Sequence, residues 1–248
     1  MAKPLLAGNW KMHGTATSAA KLASEIAEIS GENPEIIVFP SFVSIPGVVS
    51  ALSGRKNVAV GAQNLSHYSD GAYTGEISGQ MLAELGCTYV LVGHSERRTY
   101  NAESNELVAE KFSAAQKSGL TPILCVGETF QQRQDKIQLQ VIKAQITAVI
   151  EKVGLQSVCD AIIAYEPVWA VGTGETATPD QAQQVHSYIR AELGDKGVDT
   201  QLLYGGSINA DNAADLFTQP DIDGGLVGGA SLEAKHFNNI AQQLIERK

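Results

Sequence analysis

Eight short apolar runs are spread along the chain: Leu5–Ala7, Ile36–Phe39, Val58–Val60, Tyr89–Val92, Pro122–Val126, Ala161–Ala164, Leu202–Tyr204 and Leu226–Val227. They are nearly continuous rather than alternating, which predicts parallel strands buried on both faces. Between them, apolar residues return every three or four positions, the helical period. The clearest case is Leu139, Ile142, Ile146, Val149, Ile150 and Val153, with Gln, Lys and Glu on the opposite face and Gly154 as the stop. Thr178 to Leu193 predicts a second such helix, opened by a capping box with proline at the first helical position. Ser231 to Ile245 predicts a third, with Ser231 as its candidate cap. The strand runs recur about every 30 residues, the length of one strand–helix unit. No linker, low-complexity tract or shift in composition divides them. Eight uninterrupted units predict one closed (β/α)8 barrel over residues 1–248, with an open doubly wound sheet as the alternative.

One connection breaks the rhythm. From Gln63 to Ile77 about 15 residues join a strand to its helix, more than a structureless link normally takes. The segment carries Asn64, Tyr68, Tyr73 and Thr74, with glycines at 71 and 75. A contact with a second copy of the chain and a plain surface loop both fit that composition.

Composition narrows the class. The hydrophobic set is 44% of residues and charged residues 18%, so a large core can form and disorder is excluded. A net charge of -9 argues against non-specific binding to nucleic acid or to anionic membrane, although a local site can still be positive. Cys87, Cys125 and Cys159 are odd in number and widely spaced, which predicts reduced buried thiols in a cytoplasmic protein. The apolar run near Met1 is too short for a signal peptide, and no run reaches the ~18 residues of a membrane helix.

The candidate chemistry gathers where strands end. The stretch Ala164 to Ala177 closes an apolar strand with a carboxylate, Glu166, which is costly to desolvate without a partner or a task. Pro167 stiffens the exit, and Val168, Trp169 and Val171 are too apolar for an idle loop. Gly172-Thr173-Gly174 then offers bare backbone N–H groups, so a base, a lid and an anion-gripping tip share one connection. Asn9 and Lys11 end the first strand two residues apart, and His94 ends the fourth. Taken singly, a solvated lysine and a capped core histidine would be ordinary. Four polar groups at corresponding strand ends predict a site on that face of a barrel.

Paired glycines form a second cluster. Gly205-Gly206-Ser207 follows the seventh strand and Gly228-Gly229-Ala230-Ser231 the eighth. Such pairs let N–H groups approach an anion, and a following helix N-terminus adds partial positive charge. Gly172 to Ala177 also fits a dinucleotide-loop pattern, but Pro167 to Val171 separate it from its strand, so that reading is rejected. The five histidines have no metal-ligand spacing, and no nucleophile-elbow or Walker sequence occurs. The pattern implies neither a metal nor a cofactor.

Asn9-Trp10-Lys11, Gly93 to Arg98, Ala164 to Ala170, Gly172 to Gly174, Tyr204 to Ser207 and Leu226 to Leu232 together resemble the triosephosphate isomerase family, in family order along the whole chain. The resemblance implies a TIM barrel that interconverts dihydroxyacetone phosphate and D-glyceraldehyde 3-phosphate in glycolysis and gluconeogenesis. It implies Glu166 as the base, neutral His94 as the electrophile, Lys11 as the stabilising cation and Asn9 as a hydrogen-bonding group, with Glu96 behind them. These roles are known for the family. Gly172, Ser207, Gly228 and Gly229 would hold the phosphate, and the loop around Thr74 would dock into a partner subunit of a homodimer. Three positions depart from the family pattern: Glu175 at the lid's far hinge, where lysine is common, Asn105 in place of aspartate, and Gly225 in place of a larger residue. A barrel acting on a larger sugar phosphate, and a barrel kept only for binding, are the alternatives.

Overall fold

The computed structural model describes residues 3–29, 34–170 and 176–246. All eight predicted strands form: β1 Leu5–Asn9, β2 Glu35–Phe39, β3 Val58–Ala62, β4 Tyr89–Val92, β5 Thr121–Val126, β6 Ile162–Tyr165, β7 Gln201–Tyr204 and β8 Gly224–Val227. Each pairs in parallel with the next, and β8 pairs back onto β1 with Leu5 opposite Gly224, so the barrel is closed. The doubly wound alternative is therefore excluded.

The apolar runs are continuous because both faces of each strand are buried. One face fills the barrel interior, where Leu5, Ala7, Ile37, Phe39, Leu91, Ile123, Cys125, Ile162, Ala164, Leu203 and Leu226 pack together. The other face meets the helices in a larger cluster that includes Leu6, Val38, Val90, Leu124, Ile163 and Tyr204. Gln138–Val153 is helical, with Gly154 at its C-cap in a left-handed conformation at φ 86°. Pro179–Leu193 is helical too, and Thr178 and Gln181 form the predicted capping box.

The prediction for Ser231 fails. The last helix runs Ala234–Ile245 and follows Glu233, while Ser231 belongs to a short 3-10 turn, Gly229–Leu232. Its Oγ donates to Gly228 O at 2.7 Å, so the hydroxyl holds a tight turn instead of capping a helix. The segment after β3 has no regular element until the helix Gly79–Glu84. Within it Leu65 and Ser66 are buried, Tyr68 stacks on Tyr73 with centroids 3.6 Å apart, and Thr74 is exposed.

His186, on the helix Pro179–Leu193, is wholly buried between the aromatic rings of Tyr165 and Tyr204. Its Nδ1 lies 3.1 Å from Asp221 O, an acceptor only, so Nδ1 carries the hydrogen in the neutral ring. Burial pushes its pKa down to about 4. An imidazole that is harder to protonate when folded stabilises the fold above its unfolded pKa and loses that contribution as pH falls from about 6.5 toward 4. Full loss would be worth about 3 kcal/mol. Urea unfolding at pH 7 and pH 5 should show this drop, and His186→Asn should reduce the pH dependence; equal pH dependence in both proteins would show that the ring titrates normally.

Candidate active site

The ends of β1, β4, β6, β7 and β8 enclose a cavity of about 290 Å³. Asn9, Lys11, His94, Glu166, Ser207, Gly228 and Gly229 all line it, so the structure brings these predicted residues together. Glu96 stands behind Lys11. Gly172, Gly174 and Glu175 lie outside the described residues.

Glu166 follows the last residue of β6 and is almost fully buried, at 2% exposure. Its backbone N–H continues the sheet by donating to Val126 O, and its carboxylate leaves the sheet for the cavity. Oε2 accepts the Ser95 backbone N–H at 2.9 Å, and Oε1 lies 2.8 Å from His94 Nε2. A Cβ at Gly205 would come within 2.9 Å of Glu166 Cγ, so glycine there is a matter of room.

His94 is the N-cap of the helix Ser95–Tyr100, and its Nδ1 accepts the Glu96 N–H at 3.2 Å. Only an unprotonated Nδ1 can accept, so the neutral ring carries its hydrogen on Nε2, facing Glu166. Burial lowers the ring's proton affinity, but the Glu166 carboxylate outweighs it, assisted by Glu96, and the net direction is upward.

Lys11 reaches the cavity by a route that strand alternation does not provide. β1 ends at Asn9, and Lys11 takes a left-handed backbone with φ 51°. That turn is held by Asn9 Oδ1, which accepts the Lys11 N–H, and by Gln63 Nε2, which donates to Lys11 O at 2.8 Å. The ammonium is tied to Glu96 Oε1 at 2.6 Å and its stem passes beside Gly228, where a Cβ would stand 3.4 Å from Cε.

A sequence model of the family "Triosephosphate isomerase" matches residues 4–244. The triosephosphate isomerase of Nitrosococcus oceani is 52% identical over 248 residues, covering 98% of this chain and 99% of its own. That of Shewanella loihica is 50% identical over 249 residues, covering 96% of each. The crystal structure of triosephosphate isomerase from Bartonella henselae superposes with a TM-score of 0.88 at 36% identity, covering 98% of this chain and 100% of its own. The chain belongs to the triosephosphate isomerase family.

The described residues add parts to this cavity and its surroundings that sequence patterns did not single out. Ile208 and Asn209 also line the cavity. Gly225, flagged as smaller than usual for the family, is filled from outside: a Cβ there would meet Ile208 Cδ1 at 2.6 Å. The turn Val168–Ala170 is held by Glu128, two residues past β5. Its Oε1 accepts Trp169 Nε1 at 2.9 Å, Tyr165 OH at 3.1 Å and Arg133 Nη1 at 3.0 Å, while its carbonyl accepts the Val168 N–H. The Arg133 guanidinium also stands 5.3 Å from the Trp169 ring centroid. On the other side, Ser207 Oγ donates to Ala170 O at 2.7 Å. A carboxylate just beyond a buried strand was the signal that flagged Glu166, and the same signal is present at Glu128.

Removing one partner of a buried ion pair strands the other. Glu128→Ala should therefore destabilise the fold by about 3 kcal/mol. It should also change the emission of Trp169, read in a Trp10→Phe background because the chain has two tryptophans. An unchanged unfolding midpoint and spectrum would show that Glu128 does not hold this segment.

Proposed function

We propose that the chain interconverts dihydroxyacetone phosphate and D-glyceraldehyde 3-phosphate by proton transfer through an enediol(ate), with Glu166 as the base. The observation that carries this reading is the carboxylate itself: nearly dry, held at both oxygens, and facing a cavity shared with a lysine and a glycine pair. Family membership and relatives of that name at about half identity support it.

Desolvation and fixed orientation suit Glu166 to removing a proton from the carbon beside a carbonyl and returning it to the neighbouring carbon. The substrate would separate Glu166 from His94, and its oxygens would then receive the Nε2 hydrogen. Removing the carboxylate from His94 also removes the main influence raising its proton affinity, leaving burial to favour the neutral ring. Lys11, fixed by Glu96, would stabilise the developing enediolate charge and the phosphate. The Asn9 amide would bond a substrate oxygen. Backbone N–H groups of Ser207, Gly228 and Gly229, with Gly172, would receive the phosphate. The reaction moves one proton between carbons and one between oxygens, so it requires no external oxidant or reductant. A lid closing from the hinge at Val168–Ala170 would exclude water from the enediolate.

The barrel would serve as a single catalytic domain of a cytoplasmic enzyme of glycolysis and gluconeogenesis. No helix among the described residues is long and apolar enough to cross a membrane. A homodimer is the proposed assembly. The loop around Thr74 lies on the same rim as the connections after β1, β2 and β4, where Met12, Val43 and Tyr100 are exposed at 95%, 82% and 81%. Large apolar groups exposed on one rim fit a protein contact.

Coupled turnover of glyceraldehyde 3-phosphate tests the activity. Glu166→Asp withdraws the carboxylate by one methylene, and a displacement of ~1 Å should lower kcat by ~10²-fold. Lys11→Ala should cost on the order of 10²–10³-fold in kcat/KM. Wild-type rates in both variants would refute the assignments. Thr74→Arg should yield monomers by sedimentation; an unaltered dimer would place the interface elsewhere.

A further inference from the structure

Gln145 stands on the buried face of the helix Gln138–Val153, beside Ile142, Ile146 and Val149, and not among the polar residues of its outer side. Only 7% of it is exposed. A primary amide in that setting is costly unless both of its ends are bonded. Both are, and by a single residue: Oε1 accepts the Gly127 N–H at 2.8 Å and Nε2 donates to Gly127 O at 2.9 Å. Two bonds from one planar group to one residue fix its orientation as well as its position.

Gly127 directly follows β5, at the point where that strand meets the proposed base. The residue before it, Val126, accepts the Glu166 N–H at 2.8 Å. A Cβ on Gly127 would overlap the Glu166 carbonyl and stand 3.4 Å from its Cα. Backbone therefore packs on backbone, with no flexible side chain between the two residues. Interiors packed this closely transmit small displacements. The residue after it, Glu128, accepts the Val168 N–H at its carbonyl and the Tyr165 and Trp169 side chains at its carboxylate. Residues 126–128 are thus the bed on which 165–169 lie, and Gln145 grips the middle of that bed from the helix layer.

We propose that Gln145 is a positioning residue for Glu166: from outside the residues that line the cavity, its amide fixes the Gly127 peptide against which the base is seated. The kinetic test rests on the isomerase reading, whereas the contact itself does not.

Gln145→Met keeps much of the side chain's length and removes both bonds. Gln145→Ala removes them too and leaves room for water to satisfy Gly127, so that folding is preserved. A seat loosened by about half an ångström should lower kcat about tenfold, since ~1 Å costs ~10²-fold. KM should stay within about twofold, because Ser207, Gly228 and Gly229, expected to receive the phosphate, follow β7 and β8. A purely structural glutamine would lower the melting temperature and leave the kcat of the folded enzyme unchanged. Gln116→Leu is the matching control: it removes a glutamine-to-backbone bond of the same kind, to Ser157 O at 2.8 Å, between two other helices, and should keep wild-type kcat. In a Trp10→Phe background the emission of Trp169 should shift in both Gln145 variants and not in Gln116→Leu. Wild-type kcat and emission in folded Gln145→Met and Gln145→Ala would overturn the proposal, as would an equal loss of kcat in Gln116→Leu. A wild type without turnover would overturn the isomerase reading instead, leaving the emission of Trp169 to decide whether Gln145 holds this segment.

Discussion

A carboxylate kept nearly free of water is the constraint around which the rest of the site is arranged. Glu166 leaves β6 at the rim, and its two oxygens take one bond from a backbone N–H and one from an imidazole. Isolated, such a charge would be expelled or neutralised. Here the barrel brings the needed donors from the exit of β4, two strands away around the barrel and more than 70 residues away in sequence. The glycine at 205 leaves the space that the side chain occupies. Fold and chemistry meet in that one residue.

The fold was legible because its physics is repetitive. Parallel strands buried on two faces leave uninterrupted apolar runs, and amphipathic helices leave a three-to-four residue rhythm. The ends were less legible. β1 continues through Gly8 to Asn9 and β8 starts back at Gly224, because glycines pair in a ladder while contributing nothing to an apolar count. Ser231 looked like a cap because serine before an amphipathic stretch usually is one. A 3-10 turn claimed its hydroxyl first.

Site residues were legible when their identity was anomalous for their place, as with Glu166 and the paired glycines. Groups acting through backbone atoms left no such trace: the Ser95 N–H could belong to any residue type. The clamp of Glu128, Trp169 and Arg133 depends on contacts spanning 41 residues and five residues, and only the fold reveals that they converge. Lys11 does reach the cavity, but not by the route its spacing suggested. Its spacing from Asn9 suggested a shared strand face, whereas a left-handed turn delivers it.

That turn has a mechanical corollary. The Lys11 carbonyl is held by the side chain of Gln63, the first residue of the long segment that carries Thr74, and the same amide also grips Phe39 O at the end of β2. A strain applied to that segment is transmitted through one amide to the backbone supporting the site's ammonium group. One side chain thus ties three chain segments together at the mouth of the cavity.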